Sequence, residues 1–138
     1  MVYLIDTSCW LFAFGKKPLA QIKERVQSVV ENHQAAVTSP IVFEILRGIP
    51  EQEPFDRMLD YLSHLVRAPL DWVEAARWSS RPALRKLGVG AMDLFIAHTA
   101  IQHHMTLIHA DHGFDRLAKV LPLKTESFAE SVMRPPVS

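Results

Sequence analysis

The chain has 138 residues, enough for one domain with a sizeable core and too few for two independently folded units. Hydrophobic residues make up 49% and charged ones 22%, a balance that excludes a disordered or fibrous chain. Its 15 Lys and Arg cancel 15 Asp and Glu, so no global positive field draws in nucleic acid; an RNA contact needs local patches or bound cations.

In chain order, Val2-Tyr3-Leu4-Ile5 is a β-favouring apolar run, the pattern of a parallel strand buried on both faces. This start lacks a basic region and its apolar run ends at Asp6, so no secretory leader is expected. The lone cysteine, Cys9, excludes an intrachain disulfide and fits a reducing cytoplasm. Within Cys9-Trp10-Leu11-Phe12 it reads as buried and inert. Behind Pro18, Leu19, Ile22, Val26, Val29 and Val30 recur at helical spacing. Ala35 to Thr38 reads as a second strand, then Ser39 as N-cap and Pro40 as first residue of a helix carrying Phe43, Glu44 and Leu46, stopped by Gly48 and Pro50.

Phe55, Met58, Leu59, Leu62 and Leu65 form the next helical stripe, Val66 to Ala68 a brief strand, and Asp71 caps a helix running toward Trp78. Ser80 to Leu87 holds a short helix with Pro82 in its first turn. After Gly88 and Gly90, expected to permit close backbone approach, Ala91 to His104 sets Leu94, Ala97, Ile101 and Met105 on one helical face, and Thr106 to His109 reads as a strand. The longest stretch free of Asp, Glu, Lys and Arg, Leu94 to Ala110, is broken by His98, Gln102, His103, His104 and His109, so no membrane span is expected. The alternation predicts an α/β fold, a three-layer α/β/α sandwich with a mostly parallel central sheet. It forms one domain over residues 1–133, with a frayed tail over 134–138.

Four acids occupy telling places, because ligands of open parallel sheets bind beyond the carboxyl ends of the strands. Asp6 follows the first strand, Glu44 lies early in the helix after the second, Asp93 opens the helix at Ala91, and Asp111 lies two residues past the strand ending at His109. Anions gathered so closely repel one another or demand cations, and carboxylate oxygens suit Mg²⁺ or Mn²⁺ better than Zn²⁺. The matching chemistry is metal-assisted phosphodiester hydrolysis. Each acid also has a structural alternative: Asp6 as a cap for Thr7 and Ser8, Glu44 and Asp93 as helix-dipole acids, Asp111 as a turn or cap residue in competition with Asp115.

At these residues the chain resembles the PIN-domain nucleases, and more narrowly the VapC-type toxins of bacterial type II toxin–antitoxin pairs. Tyr3-Leu4-Ile5-Asp6-Thr7-Ser8 resembles the opening strand with D-T-S, and Val42-Phe43-Glu44-Ile45-Leu46-Arg47-Gly48 the E-L-x-x-G helix. Met92 to Ala100 resembles D-x-L-I-A-x-x-A, and Leu107 to Asp115 the closing L-x-T/H-x-D-x-x-F-D segment. The departures are His109, where Thr is frequent, and Phe95, where Leu or Ile is common. The resemblance implies a PIN-like endoribonuclease in which Asp6, Glu44, Asp93 and Asp111 bind Mg²⁺ or Mn²⁺ and cut tRNA, rRNA or mRNA, inhibiting translation. Ser8 would touch a ligand or a metal-bound water, and Asp115 would stand behind the ligands. It further implies a homodimer, and a cognate antitoxin whose C-terminal segment fills the cleft. Arg47, Arg81, Arg85 and Arg116 are candidate phosphate contacts, with solvated surface arginines as the alternative.

Five of the 7 histidines, His98, His103, His104, His109 and His112, crowd together, but no H-E-x-x-H or Cys/His set accompanies them, which argues against zinc. His109 or His112 remains open as an RNA-orienting or proton-transferring group. Trp10, Phe12, Phe14, Trp72 and Trp78 read as core or dimer packing rather than base-stacking platforms, being interleaved with apolar residues. A dehalogenase-like phosphatase would need a second Asp where Ser8 stands. A phosphate-receiving signalling domain would need acids before Asp6, and both glycine-rich nucleotide motifs are missing. From another class comes a non-catalytic PIN-like protein-binding scaffold, against which the four acids speak.

Overall fold

Leu4 and Ile5 are consecutive in β1 (Tyr3–Ile5) and point to opposite faces, yet both are completely buried in the computed structural model, which describes residues 1–133. Both faces of the sheet are therefore covered. After β1 come α1 (Thr7–Phe14), α2 (Ala20–Glu31), β2 (Ala35–Val37), α3 (Ser39–Leu46), α4 (Gln52–Ser63) and β3 (Val66–Arg67). There follow α5 (Trp72–Ser79), α6 (Pro82–Arg85), α7 (Ala91–Gln102), β4 (Thr106–His109), α8 (His112–Val120), β5 (Thr125–Ser127) and α9 (Ala129–Met133). The five strands form one parallel sheet in the order β3-β2-β1-β4-β5, with helices on both faces, the three-layer α/β/α sandwich that the alternation predicts. The tail expected to fray, 134–138, lies outside the described residues.

Strand order reverses around β1: the chain first steps outward to β2 and β3, then returns across β1 to β4 and β5. Such a switch point leaves a crevice beyond the carboxyl ends of the central strands. The register fixes what stands there. Leu4 pairs with Ala36 and with Leu107, and Ile5 with Ile108, so one residue further the row reads Thr38, Asp6, His109. The Asp6 N–H donates to the Ile108 carbonyl at 2.9 Å and ties that end of the row together.

Several local expectations shift. Ser39 is not the cap of α3: Thr38 is, with Ser39 and Pro40 inside the first turn, and the Thr38 hydroxyl makes no capping bond. Among the described residues no backbone crowds Gly88 or Gly90; Gly88 is needed for its φ of 65°, and Gly90 caps α7. In α4, Leu59 is exposed while Leu62 is buried. Three elements go unread from sequence, two of them, α1 and β5, because their own pattern carries too little periodicity. Helix α1 is apolar on every side, so Leu11 and Phe14 face solvent while Cys9, Trp10 and Ala13 are buried. The polar strand β5 is held by pairing to β4 and by the Arg25–Glu126 ion pair at 2.6 Å, and α8 follows directly on Asp111. Among the aromatics read as packing residues, Trp10 is buried with its indole N–H on the Ile5 carbonyl at 3.0 Å, but Phe14 and Trp72 are exposed.

Candidate metal centre

Asp6 is held at the centre of the row. Its backbone caps α1, and its Oδ2 accepts the Ser8 hydroxyl at 2.7 Å and the Ser8 N–H at 3.2 Å. The Ser8 oxygen in turn accepts the Ala110 N–H at 3.2 Å, so one hydroxyl joins the end of β1 to the loop after β4. Capping and site-building therefore coincide at Asp6. Burial pushes its carboxyl pKa up, the Ser8 and Thr7 hydrogen bonds work in the other direction, and the Glu44 charge raises it further.

Glu44 comes from α3 on the β2 side, and its Oε1 accepts the Thr7 hydroxyl at 3.2 Å. Thr7 thus anchors one acid while its neighbour Asp6 supplies another, a role the D-T-S motif contains but that was not assigned from sequence. Asp93 stands in the first turn of α7 without capping it. Burial lifts its carboxyl to about 6, with further upward pressure from the charges of Asp6, Asp111 and Glu44, in that order. Asp111 is the N-cap of α8, its Oδ1 accepting the Gly113 N–H at 2.9 Å. A Cβ built on Gly113 would stand 3.4 Å from Asp111 Oδ1 and 3.8 Å from Asp93 Oδ2, so two carboxylates from different helices flank this glycine.

Four elements thus bring four anions into mutual electrostatic reach. Among the described residues, no three acidic, histidine or cysteine side chains close tightly enough on one point to clasp an ion as they stand. The donor set nonetheless fits a hard divalent cation. It consists of carboxylate oxygens whose repulsion a cation would relieve, while the nearby Cys9 thiol is buried and pushed up to about 12, which disfavours the thiolate a soft metal prefers.

Behind this group lies Asp115. His109 Nε2 stands 3.5 Å from Asp115 Oδ1, and His112 Nδ1 stands 3.4 Å from Asp115 Oδ2. The His109 ring is fully buried, and burial pushes its pKa down against the charges of Asp115, Asp6 and Asp111. The candidate arginines lie on the surface. Arg47 caps the end of α3 over the Phe43 ring at 5.8 Å, Arg81 and Arg85 bracket α6, and Arg116 lies on α8. Among the described residues, none of the four pairs with an acid.

A family model for the PIN domain matches residues 3–120. VapC ribonuclease Mb1587 of Mycobacterium bovis is 31% identical over 133 residues, covering 91% of this chain and 98% of that protein. Ribonuclease VapC11 of Mycobacterium tuberculosis matches to the same extent, 31% over 133 residues. Among solved structures, VapBC2 from Rickettsia felis bound to a promoter DNA fragment superposes with a TM-score of 0.72 at 21% identity, covering 93% of this chain and 99% of that one. VapBC-1 from nontypeable Haemophilus influenzae gives 0.65 at 23% identity, covering 94% and 99%. Those two likenesses establish the fold. The chain belongs to the PIN-domain family and is of the VapC type.

Proposed function

On the premise that this is a PIN-domain protein of the VapC type, we propose that it is the toxin of a toxin–antitoxin pair. It is an Mg²⁺- or Mn²⁺-dependent endoribonuclease that inhibits translation by cutting tRNA, rRNA or mRNA. The observation that carries this reading is the gathering of Asp6, Glu44, Asp93 and Asp111, where burial first and the neighbouring carboxylates second lift Asp93 to about 6. The two ribonuclease relatives named above support the reaction class.

In this reading a divalent ion held by Asp6, Glu44, Asp93 and Asp111 would supply Lewis-acid charge stabilisation and a more acidic water. The chain's own residues do the rest. Asp6, fixed by Ser8, and Glu44, fixed by Thr7, would hold the ion together with Asp93 and Asp111, whose carboxylates both lie beside Gly113. Ser8 also ties Asp6 to the segment just before Asp111, through its hydrogen bond from the Ala110 N–H. Arg47, Arg81, Arg85 and Arg116 supply phosphate contacts, and Arg47 is the nearest in sequence to one of the four ligand acids, three residues past Glu44.

The partners follow the same reading: a cognate antitoxin, a second copy of the chain as a homodimer, and no membrane, in the cytoplasm. No helix among the described residues is long and apolar enough to cross a membrane. Two adjoining apolar hollows, about 370 and 260 Å³, share Phe14, Ile49 and Met58 beside α1 and α4 and suit the side chains of a protein partner.

The test is incubation of purified, partner-free protein with total bacterial RNA in Mg²⁺, Mn²⁺ or chelator, mapping new 5′ ends beside an Asp93→Asn control. Discrete metal-dependent cuts absent in the variant are expected. A folded protein that neither cuts RNA nor binds Mn²⁺ would favour the non-catalytic scaffold instead.

A further inference from the structure

His109 ends β4 with its main chain fixed on the β5 side: it lies opposite Ser127, and its carbonyl accepts the Phe128 N–H at 2.7 Å. Its ring is fully buried against Phe114, with centroids 5.1 Å apart. Nδ1 accepts the Asp111 N–H at 3.2 Å, so this nitrogen carries no proton and the neutral ring carries its proton on Nε2. That Nε2 has no hydrogen-bond partner of good geometry among the described residues, and it faces Asp115 Oδ1 at 3.5 Å. The two successive amides leading into Asp111 are each held by a side chain, Ala110 by Ser8 and Asp111 by His109.

An apolar side chain would fill this place in the core without the desolvation that a buried imidazole brings. What the imidazole adds is an acceptor for the Asp111 N–H and, on its other side, an Nε2–H left 3.5 Å from the carboxylate of Asp115. We propose that His109 is a positioning residue, setting the Asp111 main chain through Nδ1 and the Asp115 carboxylate through Nε2–H. The proposal rests on the metal-nuclease reading above, in which Asp111 is a ligand, and adds a supporting residue to that same site. Hydrogen bonds that support a ligand residue from behind fix its orientation, and breaking one typically weakens metal affinity about 10- to 100-fold.

The test uses the full chain. Heteronuclear NMR of the imidazole nitrogens of the metal-free protein is expected to show Nε2 protonated and Nδ1 bare; the opposite tautomer would overturn the proposal. Calorimetric titration with Mn²⁺ then compares the wild type with His109→Asn, which keeps an acceptor near the Nδ1 position, His109→Gln, which keeps a donor near Nε2, and His109→Leu, which keeps neither. His109→Leu is expected to bind Mn²⁺ about 10-fold more weakly or worse, His109→Asn to recover most of the loss, and Asp115→Asn added to His109→Leu to change little more. Leu and Asn variants of equal affinity, or a His109→Leu protein within about twofold of wild type, would refute it. If His109→Leu does not fold, the Asn and Gln pair decides, equal weakening counting against the proposal. A wild type that takes up no Mn²⁺ sinks the metal reading instead. The positioning claim then stands or falls on exchange of the Asp111 amide, expected to be slow in the wild type and His109→Asn and fast in His109→Gln.

Discussion

Asp93→Asn should make the metal-free protein more stable while abolishing its stabilisation by Mn²⁺. Burial and three neighbouring carboxylates raise the Asp93 carboxyl from 3.8 to about 6. Each unit is worth about 1.4 kcal/mol, and discounting for the partial exposure of this side chain leaves a penalty of about 2 kcal/mol on the ionised folded state. The sign follows from proton counting. Between 3.8 and about 6 the folded state binds more protons than the unfolded one, so stability falls as pH rises through that window and is level above it. An amide cannot ionise and escapes the penalty. Thermal unfolding in chelator at about pH 8 should therefore show Asp93→Asn roughly 6 °C above wild type, with the gap nearly closed at about pH 4. Saturating Mn²⁺ at about 100 times its Kd should add about 2.7 kcal/mol to the wild type and little to the variant, bringing the wild type level with it or above. A variant no more stable than wild type at about pH 8, or equally stabilised at both pH values, would refute the electrostatic account.

Three further outcomes follow. Ser8→Ala removes the hydroxyl that links Asp6 to Ala110 and should destabilise the fold by about 1–2 kcal/mol while lowering Mn²⁺ affinity, read by denaturant unfolding and calorimetry. Cys9, buried with its thiol pushed up to about 12, should resist alkylation in the native protein at about pH 8 and react at once in denaturant, as mass spectrometry would report. Arg47→Glu should weaken RNA binding and flatten its salt dependence without changing Tm by more than about 2 °C; an unchanged salt slope removes Arg47 from the phosphate contacts.

Much of the fold was legible because burial leaves a periodic trace. The runs at Val2 to Ile5, Ala35 to Thr38 and Thr106 to His109, and the stripes behind Pro18 and after Gly90, reappear as β1, β2, β4, α2 and α7 to within a residue or two. Elements whose place is set by neighbours rather than by their own pattern left no such trace. Helix α1 is apolar all round because it has the core on one side and exposed Leu11 and Phe14 on the other, and β5 is polar because it closes the edge of the sheet. The arc buried along α7 is also wider than the single face read from sequence, taking in Ile96, Thr99 and Ala100.

The sequence by itself determined that Asp6, Glu44 and Asp111 follow strands, which in a parallel sheet assigns them to one edge, and that Asp93 opens the helix leading into β4. Only the tertiary structure decided how they are held. Thr7 reaching Glu44 across 37 positions, Ser8 reaching Ala110 across 102, and Gly113 between Asp111 and Asp93 are contacts between segments distant in the chain, and no local spacing encodes a distance across the fold. The lifted Asp93 carboxyl belongs to the same class. A side chain's charge state is set by the burial and the neighbouring charges that the fold brings to it, and those exist only once the strands are in register.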